Sequence, residues 1–189
     1  MIEPELLLQG YRLGVFPMAM DDDTIEWFSP DPRAILPLEK FHLPHALRRV
    51  MQKGVFEIMI DNCFPEVIRA CAKRRDTWIN REIVESYERL HELGYSHSVE
   101  TWSEGKLVGG LYGVAIGGAF FGESMFHRAT DASKVALVSL VEHLRDRKFV
   151  LLDTQWLTPH LARFGTIEIS RTVYLQLLGS AVELPRNFL

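Results

Sequence analysis

The chain is poor in cysteine. Only Cys63 and Cys71 occur among 189 residues, eight apart in a stretch with helical spacing, so a mutual disulfide is not favoured and no second pair suggests zinc. Long hydrophobic runs are missing too: none approaches the roughly 18 residues of a membrane span. The N-terminus opens with Glu3 and Glu5, not with the basic-then-apolar order of a secretion signal. There is no G-x-G-x-x-G turn, no Walker segment and no His-Glu-x-x-His, and the seven histidines show no metal-ligand spacing. Ser124, Ser133 and Cys71 lack a nucleophile-elbow setting, so covalent catalysis finds no support. These absences point to a reduced, cytoplasmic protein that needs no metal.

What is present is enough for a substantial core. A hydrophobic content of 47% in this length fits one large domain or two small ones. The net charge of −4 argues against a surface generally coated for nucleic acid, but the charge is uneven. Residues 33 to 81 hold ten Lys/Arg against five Asp/Glu, a local +5 that leaves −9 elsewhere. Most of it falls in two groups, Arg48-Arg49-Lys53 and Arg69-Lys73-Arg74-Arg75. Each reads either as a phosphate-facing patch or as a solvated helix face.

The pattern changes character along the chain. Glu5 to Leu13 reads as a short helix ended by Gly14. Asp21 to Pro37, with three prolines and three consecutive aspartates, reads as loop around one short strand at Arg33 to Leu36. A helix begins near Pro44. Phe56, Ile58 and Ile60 then alternate like a half-buried strand, and a helix follows Asp61 or Asn62, either of which suits a cap. Another helix runs from Asn80 to Leu93 and ends at Gly94. Beyond it, Ser96–Trp102, Lys106–Ala115 and Gly118–Phe126 read as three antiparallel strands. A strong helix with Ala132, Val135, Ala136, Leu140 and Leu144 inward comes next. An apolar strand, a helix near Thr158–Arg163, a strand at Ile167–Ile169 and a last helix complete the order. This predicts an α+β layered fold.

Three motifs carry polar groups that neither a core nor a turn requires: W-F-S-P-D-P-R-A (27–34), F-F-G-E-S-M-F (120–126) and L-L-D-T-Q (151–155). Asp153 and Gln155 stand two apart at a strand end, so their side chains share a face; a helix cap is the plainer reading of Asp153. Glu123 lies among aromatics, where a carboxylate must be paired or await a cation. Gly122 beside it suits a close backbone approach. Trp78, after a basic run and just before a helix, reads more readily as a core anchor than as a ligand platform.

Taken in order, G-Y-R-L-G-V-F-P (10–17), W-F-S-P-D-P-R-A, D-T-W-I (76–79), Y-E-R-L-H-E-L-G (87–94), H-S-V-E-T-W (97–102), L-V-G-G-L-Y-G-V-A (107–115), F-G-E-S-M-F, A-S-K-V-A-L and L-D-T-Q resemble bacterial leucyl/phenylalanyl-tRNA–protein transferases over nearly the whole chain. The resemblance implies transfer of leucine or phenylalanine from aminoacyl-tRNA to proteins that begin with arginine or lysine, marking them for degradation. It implies a monomer without cofactor, built from a small N-terminal α/β domain (1–60, shorter than the family's) and an N-acetyltransferase-like catalytic domain (61–189). Asp153 and Gln155 would lie at the reacting centre, with Asp153 polarising the Gln155 amide, and Glu123 would face the acceptor's positive charge. Trp78, Phe120, Tyr11 and Tyr87 would line the donor pocket, joined by Met18, Leu140, Ser124 and Thr158. Arg48, Arg49 and Lys53 would meet tRNA.

Met18 and Leu140 stand where aromatics are common in the family, which extends the expected donors to methionine. An acyl-CoA N-acetyltransferase of the same fold is the rival. It would need a glycine-rich pyrophosphate turn, and residues 127–131, His-Arg-Ala-Thr-Asp, contain no glycine.

Overall fold

A computed structural model describes residues 1–73 and 77–189; Arg74 and Arg75 of the second basic group lie outside the described residues. The chain runs α1 (Pro4–Arg12), β1 (Phe16–Ala19), β2 (Ile25–Phe28), β3 (Arg33–Ile35), α2 (His45–Gln52), β4 (Glu57–Ile60), α3 (Phe64–Ala72) and α4 (Arg81–Glu92). It continues through β5 (Ser96–Ser103), β6 (Lys106–Ile116), β7 (Ala119–His127), α5 (Ala132–Asp146), β8 (Leu151–Gln155), α6 (Pro159–Ala162), β9 (Ile167–Ile169) and α7 (Arg171–Val182). No helix among the described residues is long and apolar enough to cross a membrane.

The large sheet has seven strands in the order β4-β5-β6-β7-β8-β3-β9, and only β7 and β8 pair in parallel. The parallel step requires a crossover, and α5 supplies it. Residues 1–60 contribute β3 and β4 to this sheet, while β1 and β2 form a separate hairpin. Apolar side chains cover both faces. On one, Leu140, Val141 and Leu144 of α5 and Leu47 of α2 pack over Leu111, Phe120 and Leu152. On the other, Leu7 and Tyr11 of α1, Phe64 and Ile68 of α3, Ile83 and Tyr87 of α4 and Tyr174 of α7 pack over Tyr112, Val114 and Phe121. This is the α+β layered arrangement that the order of elements implies.

Two local expectations change. Ile25–Phe28 is a strand, where the Asp21–Pro37 stretch reads as loop, and it pairs with Phe16–Ala19, to which the sequence pattern assigns no element: Pro17 sits in the outer two-stranded hairpin, which spares it the need for a central ladder donor. The helix α3 is capped neither by Asp61 nor by Asn62. Asp61 instead accepts from His97 Nδ1 at 2.6 Å and from the Ser98 N–H at 2.7 Å. Glu100 reaches from β5 to accept the Cys63 N–H at 2.7 Å, placing a carboxylate at the helix start.

Candidate functional site

The site forms where the parallel pair comes apart. β7 and β8 are in register only from Ala119↔Leu151 to Phe121↔Asp153. Beyond that point each strand carries one extra residue. Gly122 and Ser124 oppose Gly113 and Tyr112 of β6, which leaves Glu123 without a partner. Asp153 and Gln155 oppose Ile35 and Ala34 of β3, which leaves Thr154 without one. A bulge of this kind bends its strand and re-aims the local side chains. Gly122 marks the point of separation: a Cβ there would stand 3.3 Å from the Asp153 carbonyl oxygen.

The gap is a cavity of about 420 Å³ that draws its walls from both faces of the sheet. Leu111, Leu137, Leu140 and Leu152 belong to the α5 side, and Trp78 and Tyr112 to the opposite side. Trp78 is brought there by β1, whose Ala19 N–H donates to the Trp78 carbonyl at 3.0 Å. Trp156 stands at the rim with its indole edge-on to Phe16 at 5.2 Å.

Glu123 and Gln155 make the polar part of this wall. Gln155 Nε2 donates to Glu123 Oε1 at 3.0 Å, and the Tyr11 hydroxyl donates to the same oxygen at 2.7 Å. Tyr11 in turn is in close hydrogen-bond contact with the Tyr87 hydroxyl. Glu123 is only 8% exposed. Burial pushes its carboxyl up to about 8, the Tyr11 bond opposes that rise, and the nearby charge of Asp153 adds to it. Gln155 has a positive φ of 64°, and the Trp156 N–H donates to the Thr154 carbonyl at 2.7 Å, so the chain turns sharply on Gln155. A left-handed glutamine is costly backbone geometry, of the kind that recurs at functional positions. Three buried polar atoms of the lining have no hydrogen-bond partner among the described residues: Glu123 Oε2, Thr154 Oγ1 and His160 Nε2. Each leaves a donor or acceptor for a ligand to satisfy.

Asp153 occupies a different environment. It is fully buried, and Arg33 grips it with Nε on Oδ1 at 3.0 Å and Nη2 on Oδ2 at 2.6 Å. The Tyr174 hydroxyl donates to Oδ2 at 2.8 Å and the Gln155 backbone N–H to Oδ1 at 2.9 Å. Arg33 lies between the Phe16 and Tyr174 rings and also donates to the Gly14 carbonyl. Asp153 therefore does not touch the Gln155 side-chain amide, contrary to the polarising role that the resemblance implies; the turn at Gln155 carries that side chain away to Glu123. Asp153 fixes the Gln155 backbone instead. It is not a helix cap either, since Thr158 caps α6 by accepting the Leu161 N–H.

Of the expected site residues, Gln155, Glu123, Trp78, Ser124, Leu140 and Thr158 line the cavity. Tyr11 and Tyr87 are buried behind Glu123, and Phe120 is buried beneath the α5 face, where it stacks on Phe188. Met18 packs against the opposite core cluster, with its strand neighbour Glu26 across the hairpin. None of these four lines the cavity as expected. Arg48 and Arg49 on α2 and Lys53 just after it are exposed, and of the three Arg48 lines a separate hollow with His45 and Arg145. Arg33, Tyr174, Thr154 and His160 were not singled out by sequence reasoning. Arg33 closes a polar motif, which was the one available signal. Among the described residues, no three His, Cys, Asp or Glu side chains gather as a metal site would require.

Comparison with known proteins agrees along the whole chain. The family model described as leucyl/phenylalanyl-tRNA protein transferase matches residues 35–179, and the model of that family's N-terminal domain matches residues 1–31. A leucyl/phenylalanyl-tRNA–protein transferase of Akkermansia muciniphila is 54% identical, covering 96% of this chain and 97% of its own. One of Herpetosiphon aurantiacus is 52% identical over 99% and 98%. Among solved structures, a GCN5-related glucosamine N-acetyltransferase region of a fungal multi-domain β-N-acetylglucosaminidase aligns with TM-score 0.51 and 12% identity, over 88% of this chain and 22% of that one. That likeness identifies the fold as N-acetyltransferase-like.

Proposed function

Because the chain belongs to the leucyl/phenylalanyl-tRNA–protein transferase family and is an aminoacyltransferase, we propose that it moves leucine or phenylalanine from tRNA to the α-amine of proteins beginning with arginine or lysine. In this reading the transfer marks those proteins for degradation. The protein works as a cytoplasmic monomer without a cofactor, and the α2 cations in residues 1–60 face the tRNA. The observation that carries the reading is the apolar cavity whose polar wall is the Gln155–Glu123 pair with an unpartnered carboxyl oxygen.

The donor is an ester and already activated, so the enzyme's task is alignment, which contributes several kcal/mol. The leucine side chains and Trp78 suit an apolar donor side chain that makes no polar demand. Gln155 commits one N–H to Glu123 and retains a second N–H and its carbonyl oxygen to hold the ester and the amine. With its carboxyl raised to about 8, Glu123 is mostly protonated at neutral pH in the empty site. An α-ammonium has a pKa near 8. The ionised fraction of Glu123 can accept the ammonium's proton, and with the two pKa values nearly matched that transfer is close to balanced, which delivers a neutral amine without a strong base. Gln155 and Glu123 are the catalytic residues of this scheme; Asp153 and Arg33 are positioning residues.

The direct test is incubation with tRNA carrying labelled leucine, phenylalanine or methionine and a peptide starting with arginine, followed by mass measurement. A peptide heavier by one leucine or phenylalanine is expected. No mass change with any donor would remove the reading.

A further inference from the structure

A second cavity, of about 610 Å³, adjoins the first and shares Met125 and His160 with it. Its chemistry is opposite. Lys73 after α3, Arg128 after β7 and Lys134 in the first turn of α5 all line it, against the single acid Asp131. The 15-residue helix α5 also begins at this wall, adding the positive end of its dipole. Arg128 is held in place: Nη1 donates to the Leu107 carbonyl at 2.9 Å, and the guanidinium lies 5.3 Å over the Phe126 ring. Its other donors are not spent on that bond. Asp131 is engaged with Lys134 Nζ at 2.6 Å and so braces that lysine as well as offsetting it.

His160 stands where the two cavities meet. Burial, and then the charges of Lys134, Arg163 and His127, lower its pKa, which favours the neutral ring. Its buried Nε2 has no partner among the described residues.

We propose that this basic recess binds the phosphates of the donor's terminal nucleotides, while the neighbouring cavity holds the aminoacyl group. The inference rests on the proposed function and adds a binding site to it. The aminoacyl ester hangs from the terminal ribose, and that nucleoside carries its nearest phosphate on the 5′ carbon. A donor whose acyl group lies beside Gln155 must therefore set a phosphate within a nucleoside's width of the junction at His160. The recess is the cationic cavity at that junction. The acceptor is a poor alternative occupant, because its cationic first residue would meet three like charges. His160 Nε2 is placed to bond a ribose hydroxyl between the acyl and phosphate positions.

The test compares two non-hydrolysable donor analogues: phenylalanyl-adenosine with an amide in place of the ester, and the same molecule extended on its 5′ side by two cytidine nucleotides. Wild type should bind the phosphate-bearing analogue at least about tenfold more tightly. Lys73→Gln, Arg128→Gln and Lys134→Gln should each erode that advantage, and the triple variant should lose most of it. Binding of phenylalanyl-adenosine should stay within about twofold, which also shows that the variants fold. An undiminished advantage in the triple variant overturns the proposal, as does equal loss for both analogues. Acetyl-CoA forms a further arm. Binding of acetyl-CoA tighter than that of the phosphate-bearing analogue, and sensitive to the same substitutions, would assign the recess to a CoA pyrophosphate and overturn the nucleic-acid source. Failure of wild type to transfer from charged tRNA would sink the proposed function, whereas intact transfer with unchanged phosphate discrimination would sink the recess alone.

Discussion

Arg33 and Asp153, 120 residues apart, form a two-point ion pair that is sealed from solvent, and Asp153 Oδ1 also accepts the Gln155 backbone N–H. Under the proposed function, the aspartate of the L-D-T-Q motif acts on the chemistry through geometry. Removing one partner of such a pair leaves an uncompensated buried charge and costs about 3–5 kcal/mol. Asp153→Asn should lower the urea midpoint by a corresponding amount. Asp153→Leu with Arg33→Met should recover much of the stability and little of the transfer rate, since the Gln155 N–H still lacks its acceptor. A double variant with wild-type turnover would show that Asp153 does not position Gln155.

The side chain of Gln155 is isolated by a second substitution. Alanine at this position carries the same left-handed backbone cost as glutamine, so Gln155→Ala removes the amide without adding backbone strain. Transfer should fall by about a hundredfold, equivalent to roughly 2.7 kcal/mol of transition-state stabilisation. Charged-tRNA affinity should change by no more than about twofold, because most of that affinity is expected from phosphate contacts. Single-turnover kinetics with a separately measured Kd separates the two quantities.

Glu123 should make stability fall as pH rises. Its folded-state pKa is about 8 and its ordinary value is 4.5. Between those values the unfolded chain releases the proton while the folded protein keeps it, so the unfolded state binds fewer protons and unfolding is favoured by raising the pH. The stabilising effect is complete below the ordinary value and lost by the time pH passes the folded one. Urea midpoints of wild type should decline from pH 5 to pH 8 relative to Glu123→Gln, and parallel curves would contradict the burial argument. In the transfer assay Glu123→Gln, which cannot take up the ammonium's proton, should slow transfer to every acceptor, because each presents the same α-ammonium.

The longest elements were readable because their periods are regular and their ends are punctuated. The helix α4 is stopped by Gly94 and capped by Asn80, which accepts the Ile83 N–H, and the three-strand meander β5–β7 follows alternation and short turns. The hairpin β1–β2 was not readable, since Pro17 lies within β1 and the aspartates at 21–23 join the two strands, so the whole stretch carries turn chemistry. The site divides in the same way. Glu123, Gln155 and Trp78 stood out as polar or aromatic groups at odd places. The bulges that aim Glu123 and Thr154 into the cavity are properties of register with β6 and β3, which no local pattern encodes. Arg33 and Asp153 find each other only once β3 inserts between β8 and β9.

The exposed cations of α2 lend themselves to a salt-dependence test. Among the described residues no carboxylate is hydrogen-bonded to Arg48 or Arg49, and both are exposed on the surface near His45. If both meet tRNA phosphates, replacing them with alanine should reduce the slope of log K against log salt by about 1–2. Affinity should weaken similarly for leucyl- and phenylalanyl-tRNA. An unchanged slope would move the tRNA contact elsewhere.

Donor choice should respond to Leu140. Its side chain belongs both to the buried α5 face and to the cavity wall, so its size sets how deep the donor side chain can reach. Leu140→Phe adds a ring to that wall and should exclude phenylalanine more than leucine. A difference of one or two methylene-sized groups in an apolar pocket is worth about 1–3 kcal/mol, or 10–200-fold in relative kcat/KM. Overpacking costs a similar 1–3 kcal/mol of stability, so thermal unfolding of the variant must be followed beside its kinetics. Competition between the two charged tRNAs in one reaction reads the ratio directly and is insensitive to the fraction of active enzyme. An unchanged ratio in folded Leu140→Phe would place the donor side chain outside this cavity.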